Sequence, residues 1–146
     1  MDRVSIYVNT MGQTAEQFRF YGEVFGHEPY AVMRMADLPR QPGQPELSED
    51  ERDALIHIEV EILGGTVLMG TDMLRSMGHE LVVGNNVSIN LEPDSLAEGH
   101  RLFEALSDGA SEISPLAKMF WGDYWGVLLD RYGIRWMVNV PDPEAG

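Results

Sequence analysis

The sequence predicts an α+β fold in which two βαβββ modules form a curved, cup-like mixed sheet. Three observations lead to this prediction. A strand pattern followed by an amphipathic helix pattern opens the chain, and the same order returns about eighty residues later. Three further strands are predicted after each helix, with glycine-containing turns between them. The chain of 146 residues is long enough for a single domain, residues 1–146, to bury a core without disulfides.

The first module, residues 1–84, begins with a strand and a helix. Val4, Ile6 and Val8 alternate with polar residues, which predicts a half-buried strand. Thr14 and Gln17 have the spacing of a capping box, so a helix is expected from this point to the glycine at position 26. The expected elements that follow are a strand at 29–35, a proline-rich acidic loop to 53, strands at 54–63 and 66–71 around a Gly-Gly turn, and a loop at 72–84.

The second module, residues 85–140, repeats the same order before a short tail, residues 141–146. Val87, Ile89 and Leu91 alternate as a strand, and Ser95 with Glu98 predicts the capped start of a second helix. The module is predicted to end in a hairpin that holds all three tryptophans. Its strand residues are Trp125, Val127 and Leu129 before a turn at 131–133, and Ile134, Trp136 and Val138 after it. Asp130 at the start of the turn is explained by turn chemistry.

The charge of the chain excludes one class of partner. There are 10 basic and 24 acidic residues, a formal net charge of −14. Affinity for nucleic acid comes largely from lysine and arginine, so no nucleic-acid partner is expected. The N-terminal apolar run is too short for a signal sequence and no window approaches eighteen apolar residues, so we expect neither export nor membrane insertion and favour the cytoplasm.

The polar faces of the strands are expected to line the concave side of the sheet, where a small ligand could bind. In the last strand, Ile134, Trp136 and Val138 are expected under a helix. The alternate residues Arg135, Met137 and Asn139 are expected to point into the cup. The predicted ligand-binding residues are Tyr7, Asn9, His57, Ser88, Asn90, Trp121, Tyr124, Arg135 and Met137. The alternative is that some of these strands turn their polar faces to solvent.

The sequence offers one pair of candidate metal ligands and no cofactor motif. His57 and Glu59 lie two residues apart on one strand, so they project the same way and could hold a metal, although such pairs more often face solvent or an interface. No P-loop, no Gly-x-Gly-x-x-Gly after a strand and no nucleophile elbow is present. We therefore expect no nucleotide or nicotinamide cofactor.

Several short motifs give the chain a family resemblance. They are Ser5, Tyr7 and Gly12; Phe20, Tyr21, Phe25 and Gly26; His57; residues 68–72; Phe120, Trp121, Gly122, Gly126, Asp130 and Gly133; and residues 136–139. With these, the chain resembles the PhnB-like branch of the vicinal oxygen chelate superfamily, which includes glyoxalase, bleomycin-resistance and fosfomycin-resistance proteins. The resemblance covers Ser5 to Val140 and implies a glyoxalase-like fold of paired modules around a cup, usually in a homodimer.

The resemblance also implies where a divalent metal would be held. Metal-dependent relatives use His, Gln or Glu from the first strand of each module and from the last strand. The matching positions here hold Ser5 or Tyr7, Ser88 or Asn90, and Met137. A thioether is a poor ligand for hard or borderline divalent ions, so the usual metal site is not expected. This favours a small-molecule binding protein; the alternatives are a metal-dependent lyase, isomerase or thiol transferase, and a dimerisation module with a vestigial cup.

Overall fold

The computed structural model describes residues 2–142, and the predicted tail at 141–146 therefore lies largely outside the described residues. The chain divides into two compact units, Met1–Val82 and Val83–Gly146. The elements of the first unit are β1 (Ile6–Thr10), α1 (Thr14–Phe25), β2 (Tyr30–Arg34), β3 (Leu55–Glu61) and β4 (Val67–Asp72). Those of the second are β5 (Ile89–Leu91), α2 (Leu96–Leu106), β6 (Ser111–Lys118), β7 (Tyr124–Leu129) and β8 (Arg135–Val140).

Each unit forms one four-stranded mixed sheet with one helix, which confirms the predicted α+β fold of two βαβββ modules. The strand order is β1-β4-β3-β2 in the first sheet and β5-β8-β7-β6 in the second. In each sheet the first strand runs parallel to its neighbour, and the other strands pair antiparallel. The predicted internal repeat is therefore present in topology as well as in sequence pattern.

The first core forms where α1 packs on β3 and β4. Phe18 and Tyr21 of α1 are fully buried, as are Val60 and Leu68 on the sheet. Gly70 permits the close approach, because a Cβ atom there would lie 2.4 Å from the Phe18 ring. Burying such aromatic and aliphatic side chains stabilises the unit by about 1.5–3 kcal/mol each.

The second core forms where α2 packs on β8 and β7. Trp136 and Val138 of β8 are fully buried, as predicted, and Leu102 and Leu106 of α2 are buried with them. Ile134, which was expected with them, is half-buried and precedes β8, so the prediction was wrong at this residue. Gly99 faces Val140 so closely that a Cβ atom would lie 2.7 Å from a methyl group of that valine. Glycine at this position therefore lets the backbone of α2 pack directly on the Val140 side chain.

The first strand of each module begins later than the sequence pattern predicts. Val4 is 89% exposed and Val87 is 75% exposed, and neither belongs to a strand. The pairing of β1 begins at Ile6 opposite Leu68, close to the start of β4, so no partner strand extends to Val4. Alternation in the sequence continued past the end of the hydrogen-bonded ladder, and the prediction was wrong at these two residues.

The start of α1 is capped by a distant side chain and not by the predicted Thr14–Gln17 box. Gln13 occupies the cap position and no side chain caps it locally. Asp72, which was expected in a loop, is instead the last residue of β4 and is 5% exposed. Its carboxylate accepts hydrogen bonds from the N–H groups of Gly12 (3.0 Å), Thr14 (3.1 Å) and Leu55 (2.8 Å).

The predicted cap of α2 is present. The Ser95 hydroxyl oxygen accepts a hydrogen bond from the N–H of Glu98 at 3.1 Å, but the Glu98 carboxylate pairs with Arg101 instead of returning to the cap. A complete capping box occurs in the acidic loop, where it was not expected: Ser48 and Glu51 bond each other around a short 3-10 turn at 49–51.

The closing hairpin has the predicted turn. The carboxylate of Asp130 accepts hydrogen bonds from the N–H groups of Tyr132 (2.8 Å) and Ile134 (3.0 Å), and Gly133 has φ 86°. The other carboxylate oxygen of Asp130 accepts a hydrogen bond from the indole N–H of Trp136 at 2.8 Å, so the turn residue also anchors the core.

No helix within residues 2–142 is both long enough and apolar enough to cross a membrane.

Candidate functional site

Each sheet has one face covered by its helix and an opposite face that the helix leaves open. On the first sheet, one residue of each strand lies in a single row across the sheet. In order of the strands, the row is Tyr7 (β1), Met69 (β4), Glu59 (β3) and Tyr30 (β2). Their side chains share the open face, because Ile58 and Val60, next to Glu59 in sequence, are buried on the helix side. This row places aromatic, thioether and carboxylate groups side by side.

A hydrogen-bonded chain of three side chains crosses this face. The Tyr7 hydroxyl oxygen lies 3.0 Å from His57 Nδ1, and His57 Nε2 lies 2.9 Å from Glu59 Oε2. An ionised carboxylate can only accept, so Nε2 carries the hydrogen that bonds Glu59. With a neutral imidazole, Nδ1 is then the acceptor and the Tyr7 hydroxyl is the donor. We call these three residues the Tyr7 chain.

The members of the Tyr7 chain differ in exposure. Tyr7 is 49% exposed, whereas the side chains of His57 and Glu59 are 23% and 17% exposed. The two rings of Tyr7 and His57 also contact each other, with centroids 5.7 Å apart and planes tilted by 49°. The phenol is therefore the part of the chain that a solute reaches first, and the imidazole and carboxylate lie beneath it.

The surroundings of the Tyr7 chain suit an organic molecule. Tyr30 is 44% exposed and Met33, opposite His57 in the strand register, is 48% exposed. The Ser5 hydroxyl donates a weak hydrogen bond to the sulfur of Met69 at 3.7 Å. Methionine side chains adapt their shape to a ligand, and tyrosine offers both an apolar ring and a polar tip. Asn9 lies two residues after Tyr7 on the same face of β1.

The open face of the second sheet is more apolar than the sequence predicts. Trp125, Val127 and Leu129 of β7 lie beside Asn139, Met137 and Arg135 of β8, and all six are half-buried. The open face is apolar because the residues of β7 that are buried against the helix are Gly126 and Leu128, which leaves the larger residues that alternate with them on the open face. A Cβ atom at position 126 would lie 2.8 Å from the Phe103 ring. The glycine at position 126 could have indicated from the sequence that this side of β7 faces the helix.

The polar residues of that second face bond one another. Asn90 is aligned with Met137, and its amide oxygen accepts a hydrogen bond from Asn139. Arg135 donates a hydrogen bond to the carboxylate of Glu112 at 3.0 Å, and the arginine side chain is 20% exposed. The predicted cationic group of the cup is therefore already paired.

The remaining predicted site residues lie elsewhere on the second unit. Ser88 precedes β5 and is exposed, so it is not part of a strand face. Tyr124 is aligned with Val140, and that position is turned toward α2 and not toward the open face. Trp121 lies in the turn between β6 and β7, is 51% exposed, and packs edge-on against Trp125 with ring centroids 6.5 Å apart.

A cavity of about 490 Å³ lies on the opposite side of the first sheet, beside the C-terminal part of α1. Its lining includes Arg19, Glu23, His27, Arg34 and Ile58. These side chains form no shared hydrogen-bonded array, and the closest charge pair, His27 with Glu61, is 3.8 Å apart. Convergent polar groups are a stronger indication of a site than volume alone, and they occur on the open face.

The residues at the positions where the resemblance implies metal ligands do not fit a divalent ion. Of the two alternatives at each of the first two positions, the Ser5 hydroxyl bonds the Met69 sulfur and Ser88 lies outside the strand. Tyr7, Asn90 and Met137 offer a phenol, an amide already bonded to a neighbour, and a thioether. Both ring nitrogens of His57 are engaged, one by Tyr7 and one by Glu59. Within residues 2–142, no group of three or more His, Asp or Glu side chains is arranged to hold a metal ion.

Comparison with known proteins gives relatives of nearly full length. No family model matches the chain. It is 21% identical to protein YjdN from Escherichia coli over 142 residues, 94% of each chain. It is 29% identical to protein PA1353 from Pseudomonas aeruginosa, whose crystal structure superposes with a TM-score of 0.79 over 97% of this chain and 98% of that one.

More distant solved structures share the fold. The PhnB protein from Bacillus cereus is 18% identical, with a TM-score of 0.74 over 95% of this chain and 99% of that one. A glyoxalase/bleomycin resistance protein/dioxygenase family enzyme from Burkholderia phytofirmans has a TM-score of 0.59, 18% identity and coverage of 93% and 95%. The fosfomycin resistance protein FosX from Listeria monocytogenes, complexed with Mn(II) and sulfate, has a TM-score of 0.60, 11% identity and coverage of 98% and 94%.

Proposed function

We propose that this chain, which has the fold of the vicinal oxygen chelate superfamily, binds a small, partly aromatic or amphipathic molecule without a divalent metal. The binding surface is the open face of the first sheet. The observation that carries the proposal is the Tyr7 chain, in which a half-exposed phenol bonds a base and a carboxylate bonds that base in turn. Polar groups fixed in this way orient a ligand, while the neighbouring apolar surface supplies the affinity.

The direction of the hydrogen bonds indicates what the ligand offers. Because the Tyr7 hydrogen points to His57, the free capacity of the phenol oxygen is to accept a hydrogen bond. The ligand would therefore present an O–H or N–H group to Tyr7. Tyr30 and Met33 lie on the same face as apolar contacts for the rest of the molecule. A hydrogen bond of this kind contributes about 0.5–1.5 kcal/mol, so most of the affinity comes from the apolar part.

The names of two structural neighbours suggest the first probes. The Burkholderia phytofirmans protein is named as a glyoxalase/bleomycin resistance protein/dioxygenase family enzyme, and the Listeria monocytogenes protein is named for fosfomycin resistance. The net charge of −14 favours a cationic molecule over an anionic one by long-range attraction. Bleomycin, which carries a cationic tail, is accordingly the better candidate of the two, and fosfomycin, a phosphonate, is the poorer.

A protein-observed NMR screen tests the proposal. Isotope-labelled protein with EDTA is titrated with bleomycin, fosfomycin and a library of aromatic and amphipathic fragments. We expect saturable shifts of the amide signals of β1 and β3, centred on Tyr7 and His57. Shifts confined to the cavity beside α1, near Arg19 and Ile58, would contradict the proposed location. An absence of saturable shifts from every compound would contradict the binding function itself.

A further inference from the structure

The Tyr7 chain has the arrangement of a hydroxyl group that a base activates and a carboxylate orients. The hydroxyl–base distance is 3.0 Å and the base–carboxylate distance is 2.9 Å, both within hydrogen-bond range. Nucleophilic catalysis requires a hydroxyl beside a base whose free nitrogen faces it, with a third group fixing the tautomer. Glu59 fulfils the last requirement because it holds the hydrogen of His57 on Nε2.

We propose that Tyr7 is a base-activated nucleophile toward small electrophiles that carry a leaving group, such as activated acyl or sulfonyl compounds. This inference rests on the proposed binding face, because the electrophile must reach Tyr7 there. The Tyr7 oxygen forms a bond to the electrophilic centre, the bond to the leaving group breaks, and the phenol proton passes to His57 Nδ1. The Glu59 carboxylate stabilises the imidazolium, whose proton is then given up to the leaving group or to water.

The exposure of the three groups agrees with these roles. Tyr7 is 49% exposed, so an electrophile reaches its oxygen without a change in the fold. His57 and Glu59 are less exposed, at 23% and 17%, so water competes less for the hydrogen bonds that activate the phenol. Tyr7 is thus the group that reacts with the electrophile, His57 is its base and Glu59 is a positioning residue.

The chain contains a matched control for Tyr7. Tyr30 lies on the same open face and is 44% exposed, close to the exposure of Tyr7. Within residues 2–142, its hydroxyl makes no hydrogen bond to a base. Tyr21 and Tyr132 are buried, at 0% and 7% exposure. A difference in reactivity between Tyr7 and Tyr30 therefore reports on His57 and not on access.

Labelling with phenylsulfonyl fluoride tests the inference. The rate at each tyrosine is measured by mass spectrometry of digested protein. We expect Tyr7 to react about 10-fold to 100-fold faster than Tyr30, which is at or below the lower end of the usual range for general-base assistance because the site is open to solvent. In His57→Gln, whose fold is checked by circular dichroism, Tyr7 should react at the rate of Tyr30. Labelling of Tyr7 no faster than Tyr30, or an unchanged Tyr7 rate in folded His57→Gln, would overturn the inference.

A second measurement tests the tautomer on the unaltered protein. The ¹⁵N signals of the imidazole should show hydrogen on Nε2 of His57 and none on Nδ1. Glu59→Ala should mix the tautomers and slow the labelling of Tyr7, and Glu59→Gln, which keeps an acceptor, should restore part of both. A wild-type imidazole with its hydrogen on Nδ1 would overturn the inference even if every variant failed to fold.

The two proposals can fail separately. Fast, His57-dependent labelling of Tyr7, together with an NMR screen in which no compound gives saturable shifts, would contradict only the proposed ligand-binding function. Saturable ligand binding on β1 and β3 with slow labelling of Tyr7 would contradict only the nucleophile.

Discussion

The carboxylate of Asp72 accepts a hydrogen bond from the backbone N–H of Thr14, 3.1 Å away and 58 residues earlier in the chain. The same side chain accepts from Gly12 and Leu55, so one residue at the end of β4 joins the loop before α1, the first turn of α1 and the start of β3. The start of α1 has no local cap, and a backbone N–H group there bonds a side chain of the sheet instead.

Asp72→Asn should destabilise the protein by about 2–4 kcal/mol, because an amide places a donor where one of the backbone N–H groups needs an acceptor. Urea unfolding followed by circular dichroism measures the change. Asp53→Asn is the control, since Asp53 is exposed in the loop before β3 and should change stability by less than about 0.5 kcal/mol. Equal effects of the two substitutions on stability would contradict the structural role assigned to Asp72.

Gly70 and Gly126 should not tolerate alanine, since each glycine lies on the face of its sheet that the helix covers. A Cβ atom at Gly70 would lie 2.4 Å from Phe18, and one at Gly126 would lie 2.8 Å from backbone atoms of Leu116. We expect Gly70→Ala and Gly126→Ala each to lower the free energy of unfolding by about 1–3 kcal/mol. Gly84→Ala, in a loop with space for a methyl group, should have almost no effect. Thermal unfolding temperatures that are the same for all three variants would contradict the packing described here.

Glu51 should make the protein sensitive to acid. The side chain of Ser76, with the backbone N–H groups of Ser48 and Ser76, lowers the pKa of Glu51 from 4.5 to about 2. A lowered carboxyl pKa gives stability that is present above pH 4.5 and is lost as the pH falls toward 2.

The difference in melting temperature between wild type and Glu51→Gln should therefore be constant above pH 5, shrink below about 4.5 and vanish near 2. Melting curves recorded from pH 7 to pH 2 measure this difference. A difference that stays constant over the whole range would show that Glu51 has no linkage to folding.

Divalent metals should leave the stability of the protein unchanged. The positions where the resemblance implies metal ligands offer a phenol, a bonded amide and a thioether, and both nitrogens of His57 are engaged. Added Zn²⁺, Ni²⁺ or Mn²⁺ should not raise the melting temperature beyond that of the EDTA-treated protein, because a ligand that binds the native state would raise it. A saturable increase that disappears in His57→Gln would instead establish a metal site at the Tyr7 chain.

Periodicity predicted most of the fold because the buried faces of strands and helices repeat at fixed intervals. The alternation of Trp136 and Val138 correctly assigned the buried face of β8. It failed at Val4 and Val87, where apolar alternation continued beyond the paired strands. It could not identify Asp72 as a cap, because that hydrogen bond depends on contacts far apart in sequence.

The candidate site could be predicted only in part for the same reason. Tyr7 and His57 were each assigned to an inward face, but their hydrogen bond joins strands that are 50 residues apart. Glu59 was considered as a metal ligand or as a residue facing solvent or an interface, and its direct hydrogen bond to the imidazole was not predicted. Tyr124 was expected in the cup, but it shares the helix-covered face of β7 with Gly126 and Leu128. The alternating Trp125, Val127 and Leu129 are as apolar as a buried face, so hydrophobicity alone did not separate the two faces of this strand.

The affinity of the tightest compound from the NMR screen for wild type and for Tyr7→Phe tests the central claim most directly. Isothermal titration with EDTA present removes metals from the comparison, and Tyr30→Phe is the matched control on the same face. Loss of the hydrogen bond from the ligand to Tyr7 should weaken binding by about 1 kcal/mol, or about five-fold, whereas Tyr30→Phe should change it by less than two-fold. Equal affinity for wild type and Tyr7→Phe would contradict the assignment of the Tyr7 chain as the ligand anchor.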